Sequence, residues 1–144
     1  MNSRYPVPGT KLKDLDTPCL LIDLDAFEHN IQLMANFYKE RTVKLRPHTK
    51  NHKSPLIAHM QIQAGGTVGG VCTAKVSEAE VMVQGGINQV LIANQIVTKD
   101  KISRLISLAR RADIIVGADD VRNVQDLADA TQTAGVELGV IVEV

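Results

Sequence analysis

Three basic side chains recur at alternate positions in the run Leu45-Arg46-Pro47-His48-Thr49-Lys50-Asn51-His52-Lys53-Ser54. In an extended chain Arg46, His48 and Lys50 share one face. Three such groups repel one another unless something anionic sits among them, so a phosphorylated cofactor or an acidic substrate suits the cluster. The plainer alternative is a solvated loop whose charges keep the chain soluble. Pro47 and Pro55 weaken it, because they argue for an ordered, non-helical segment. Zinc fits less well. His48 and His52 have the four-residue spacing that puts two ligands on one helical face, but the prolines forbid a single helix over both, and no Glu lies between them to act as a base. His59 falls in a helical stretch and reads as a surface or packing residue. No serine lies in a glycine-flanked strand-to-helix elbow, which leaves Ser-His-Asp catalysis without support.

The elements that must position this cluster show in the alternation of short Val/Ile/Leu-rich runs with stretches of helical periodicity. Strands are expected at 19–24, 42–48, 67–72, 89–94, 113–118 and 137–144. Their starts fall roughly two dozen residues apart, the repeat of a strand plus a crossover helix, which implies a parallel sheet. Helices are expected from Asp25, capped with Glu28, to about Glu40; from Pro55 behind Ser54 to about Gln63; and over 75–84, 98–110 and 120–133. The pairs Gly65-Gly66, Gly69-Gly70 and Gly85-Gly86 precede strands rather than open helices, so they read as helix terminators and not as phosphate loops.

Two observations favour a barrel over an open dinucleotide-binding sheet. The first expected strand ends Ile22-Asp23-Leu24-Asp25 without a glycine-rich turn. The last expected strand has no helix after it, and a β/α barrel takes ~250 residues. The expectation is therefore the N-terminal part, about six of eight units, of a β/α (TIM-like) barrel over residues 17–144, preceded by an arm over 1–16. In such a barrel reactive groups lie at the carboxyl ends of strands. That rule selects Asp23 and Asp25; Arg46, His48 and Lys50; Thr73 and Lys75; Asn94 and Gln95; and Asp119 and Asp120.

Composition narrows the partners. The 144 residues carry 16 basic and 16 acidic side chains, so no basic footprint for a nucleic-acid backbone exists. No apolar run approaches the ~20 residues that span a bilayer, and no secretion signal precedes Thr17, which makes the cytoplasm the expected compartment. Aromatic residues make up 3% of the chain and Trp is absent, so base-stacking platforms are unsupported and the core must be aliphatic. Cys19 and Cys72 lie in apolar runs and are expected to be buried and reduced.

The segment Arg46-Pro47-His48-Thr49-Lys50-Asn51-His52-Lys53 resembles the pyridoxal-phosphate segment of the D-threonine aldolase and D-serine dehydratase family, relatives of the alanine racemase N-terminal barrel and of fold-type III pyridoxal-phosphate enzymes. Supporting stretches are Asp16-Thr17-Pro18-Cys19-Leu20-Leu21-Ile22-Asp23, the run from Gly70 to Glu80, and Leu91-Ile92-Ala93-Asn94-Gln95. The resemblance implies that Lys50 carries the cofactor, with His48 beside it in catalysis and Arg46, Thr73 and Gln95 in cofactor binding. It implies a lyase acting on D-β-hydroxy-amino acids and releasing glycine and an aldehyde. A dehydratase giving a keto acid and ammonia stays open, as does a non-catalytic pyridoxal-phosphate-binding protein. Beyond Val144 it implies further barrel strands, a β-domain and a divalent metal (Mn, Mg or Zn), so that this chain alone is expected to be inactive. A homodimer is left open.

Overall fold

A computed structural model describes residues 6–144, so Met1–Tyr5 of the expected arm lie outside it. The described residues form five α-helices, α1 (Leu24–Lys39), α2 (Pro55–Ala64), α3 (Val76–Gln84), α4 (Lys99–Ala109) and α5 (Val121–Ala134). Among the described residues four strands, β1 (Val71–Thr73), β2 (Gln89–Gln95), β3 (Asp113–Ala118) and β4 (Gly139–Val142), form one parallel sheet in the order β1-β2-β3-β4. β1, β2 and β3 are each followed by a helix that returns the chain to the same end of the sheet, the β/α repeat expected from the spacing.

Register explains where the core lies. Val71 stands beside Val90 and Val90 beside Ile114, and Thr73 beside Ile92 and Ile92 beside Val116. Apart from Thr73 these residues join Met82, Leu105 and Leu127 of the helices in one buried aliphatic cluster. Alternate residues Cys72, Leu91 and Ile115 form a row on the opposite face. The sheet is thus covered on one side by helices, and its other side is the face that a barrel turns inward.

Two expected strands are corrected. Residues 19–23 pair with nothing among the described residues, and Leu20, Leu21 and Ile22 stand exposed. An apolar run becomes a strand only when another lies beside it to take its backbone bonds, and here Asp23 instead caps α1, its carboxylate accepting from the amide of Ala26 at 3.0 Å. The helix therefore begins at Leu24, and Asp25 lies in its first turn rather than at its cap. Cys19 is exposed, against expectation, whereas Cys72 is buried.

The second correction falls on 42–48, which reaches the sheet only through isolated parallel bridges, Leu45 to Thr67 and His48 to Cys72. Leu45 exchanges bonds with Gly66 and Val68, and the next pairing is the Cys72 amide donating to the Pro47 carbonyl at 2.7 Å. The extra residues on the facing strand bulge at Gly69, whose φ is 80°. Gly70 next to it is closed in: a Cβ there would lie 2.6 Å from the carbonyl oxygen of Gln89 and 2.8 Å from Nη1 of Arg46. These two glycines shape a bulge and a close approach rather than ending a helix.

Candidate functional site

The chain leaves the sheet immediately after His48. Thr49 is fully buried, and both its amide and its hydroxyl donate to the carbonyl of Cys72, at 2.8 and 3.2 Å. The amide of Lys53 donates back to the Thr49 carbonyl at 2.8 Å and closes a turn over 49–53. Lys50 sits on this turn, exposed, at the carboxyl end of the strands. Its Nζ has no hydrogen bond or ion pair among the described residues. The extended path that would keep Arg46, His48 and Lys50 on one face thus ends at His48.

His48 is half-buried beside the turn, and its Nδ1 accepts from the Lys50 amide at 3.3 Å. Burial pushes its pKa below the ordinary 6.5; the Lys50 charge pushes the same way, and the Glu78 carboxylate partly opposes both. The imidazole is accordingly uncharged at neutral pH. With Nδ1 engaged as an acceptor, the neutral ring carries its proton on Nε2. His52 is also lowered, first by burial, with the Gln61 side chain and the Ser54 amide opposing. Its Nδ1 accepts from Ser54 at 3.0 Å, which fixes the ring at the start of α2.

The other residues selected by the strand-end rule scatter. Gln95 lies at the carboxyl end of β2 on the same end of the sheet as Lys50, its Nε2 donating to Oε2 of Glu143 at 2.7 Å. Asn94 donates to the Ala74 carbonyl at 2.8 Å. Thr73 is fully buried and alternates with Cys72, so it shares the helix-facing side with Val71. Arg46 reaches the other way. Its Nη2 donates to Oε1 of Gln89 at 2.8 Å, and Gln89 in turn donates to Asp113, which places the guanidinium at the amino ends of β2 and β3. Asp120 caps α5 and is paired with Arg122, which holds its carboxyl down to about 2. Among the described residues no three His, Cys, Asp or Glu side chains gather as a metal site.

Two acidic residues at this end of the sheet escape a reading of the sequence. Glu78, on α3, is 8% exposed, and its Oε2 accepts from the Ala74 amide at 2.8 Å. Glu143 follows β4 and meets Gln95 across the sheet. A cavity of about 370 Å³ opens between α1, α2 and residues 45–48, with Phe27, Ile31, Met34, Pro47 and His48 in its lining. It is mainly apolar, and Lys50 does not line it.

Parallel strands joined by helices, with Lys50 and His48 at their carboxyl end, make this an α/β protein with the repeat of a β/α barrel. The chain belongs to the alanine racemase N-terminal domain family, whose match covers residues 22–144. It is 44% identical over 139 residues to a 3-hydroxy-D-aspartate aldolase of Paracoccus denitrificans, covering 96% of this chain and 36% of that protein. The crystal structure of a D-threonine aldolase from Filomicrobium marinum superposes with a TM-score of 0.87 at 52% identity, over 92% of this chain and 35% of the other. A D-threo-3-hydroxyaspartate dehydratase, solved in a metal-free form, gives a TM-score of 0.78 at 30% identity, over 90% of this chain and 34% of the other. The chain therefore spans about a third of the length of the relatives it matches.

Proposed function

We propose that the whole protein is a pyridoxal-phosphate-dependent lyase that cleaves the Cα–Cβ bond of D-β-hydroxy-amino acids of the D-threonine and 3-hydroxy-D-aspartate type, yielding glycine and an aldehyde. The observation that carries this reading is the Lys50 amine, free of any partner among the described residues, on a turn pinned to β1 beside an uncharged His48. A carbonyl cofactor needs such an amine, so the residues fit the group. When bound, pyridoxal phosphate acts as an electron sink for charge that develops next to the substrate amine.

The chain's own residues have separate tasks in this reading. Lys50 would hold the cofactor through its amine. His48 moves a proton: its uncharged imidazole would accept the substrate β-hydroxyl proton on Nδ1 as that nitrogen gives up the 3.3 Å bond from the Lys50 amide, the step that drives retro-aldol cleavage. Thr49 keeps both in place from below. Gln95 and Glu143 supply a polar wall at the same end of the sheet. Arg46, tied to Gln89, is read here as bracing the amino end of the sheet rather than as a ligand of the cofactor. Thr73, with its side chain on the helix side, has only its backbone to offer.

The greater identity to aldolases than to the dehydratase supports C–C cleavage over elimination. A divalent metal in the whole enzyme belongs to the same reading, supported by a relative described in a metal-free form; we place the enzyme in the cytoplasm. Assay of the full-length protein on D-threonine and on D-3-hydroxyaspartate should release glycine and aldehyde. A keto acid with ammonia would select the dehydratase, and no product from either substrate would overturn the reading. Lys50→Ala should abolish both the visible absorbance of bound cofactor and the activity. His48→Ala should keep the absorbance while turnover falls by roughly 10²–10⁴-fold.

A further inference from the structure

The turn that presents Lys50 bears a second lysine three positions on, and the two amines are held differently. Lys53 has a φ of 51°, the left-handed conformation that residues other than glycine seldom adopt. Its Nζ lies 3.9 Å from Oε1 of Glu78. Glu78 is nearly buried, and its other oxygen already accepts from the Ala74 amide. A carboxylate withdrawn from water retains a cation wherever one reaches it. Lys53 is the cation within 4 Å of Glu78 among the described residues. One carboxylate on the first turn of α3 thus holds both the loop after β1 and the far end of the Lys50 turn.

We propose that Glu78 is a positioning residue that decides which lysine of the turn carries the cofactor: by holding the Lys53 amine against α3, it leaves Lys50 as the amine free to react. The inference rests on the reading that the cofactor is pyridoxal phosphate. Neither amine is excluded by exposure, since both lysines are exposed. What separates them is the tether. Without it, the long Lys53 stem samples the same solvent at the strand ends as Lys50, and either amine is able to condense with an aldehyde, losing water.

The test is a competition within one molecule. The protein is loaded with pyridoxal phosphate and treated with borohydride, and the ratio of label on Lys53 to label on Lys50 is read by peptide mapping. Lys50 should dominate in the unaltered protein. Glu78→Gln keeps an oxygen for the Ala74 amide but removes the charge, and should raise the ratio by about 2–5-fold, the factor that matches a partly exposed ion pair. Raising salt from ~0.05 to ~1 M on the unaltered protein should shift the ratio in the same direction, because screening weakens the tether. This second arm does not depend on the variant folding. Label chiefly on Lys53 in the unaltered protein, or a ratio indifferent to both perturbations, would overturn the role of Glu78. Absence of label from both lysines would overturn the cofactor reading itself.

Discussion

Thr49 offers a direct measure of how firmly the Lys50 turn is fastened. Its side chain has no solvent exposure, and its hydroxyl shares the Cys72 carbonyl with its own amide. Thr49→Val preserves shape and removes one hydrogen bond while leaving the carbonyl paired with the amide, so no acceptor is orphaned. The expected loss is the net value of a single buried bond, about 0.5–1.5 kcal/mol. Thr49→Ala also deletes a buried methyl group and adds about 1 kcal/mol for the missing apolar contact. Trp is absent, so urea unfolding followed by far-ultraviolet circular dichroism is the suitable assay. The two variants should lose stability in that order, with Val retaining label on Lys50 because the main-chain bonds of the turn persist. Equal stability of Thr49→Val and the unaltered protein would refute the argument that the hydroxyl fastens the turn. Equal losses for Val and Ala would refute the apolar contribution assigned to the methyl group.

Other outcomes follow from the same geometry. Gly70→Ala places a Cβ against the Gln89 carbonyl and the Arg46 guanidinium; because a carbonyl in a strand yields little, unfolding experiments should show a loss of about 1–3 kcal/mol. The His48 ring, followed by proton NMR, should titrate below 6.5, and Lys50→Met should raise its midpoint by removing the nearby positive charge. Since the folded pKa lies below the unfolded one, the His48 contribution to stability is complete above about 6.5 and is lost as pH falls through that value towards the folded midpoint. Asp120, held near 2, stabilises the folded chain above its ordinary 3.8 and loses that effect as pH falls towards 2. Asp120→Ala should therefore flatten the acid limb of a stability-against-pH profile in that range.

The helices were the most legible part of the sequence, because their signals are local. Ser54-Pro55 and Gly65 bound α2, and Asp120 and Gly135 bound α5, as their chemistry requires. The cap of α1 was displaced by two residues because Asp23 and Asp25 satisfy the same local rule, and only three-dimensional bonding chooses between them. Strands depend on a neighbour, which explains why Leu20–Ile22, apolar enough for a sheet, remain outside it. Alternation placed Arg46 and His48 on one face correctly in backbone terms but carries no information about lean. The long Arg46 side chain runs to the opposite end of the sheet from Lys50. Glu78 was illegible for another reason. A single acid on an amphipathic helix looks solvated until the loop that folds over it is known.

The strictly sequential order of β1 to β4 bears on how the chain reaches this state. Every pairing in the sheet joins strands separated by one helix, so the entropy lost in closing each loop is similar and modest. Each parallel pairing still spans a whole helix, so the sheet grows stepwise from a first docked pair and more slowly than the helices themselves form. During synthesis each unit is able to dock on its predecessor as it emerges. The bridges from residues 45–48 to Thr67 and Cys72 come first in that series, so the Lys50 turn is fastened early and the later strands assemble against a reactive end already in place.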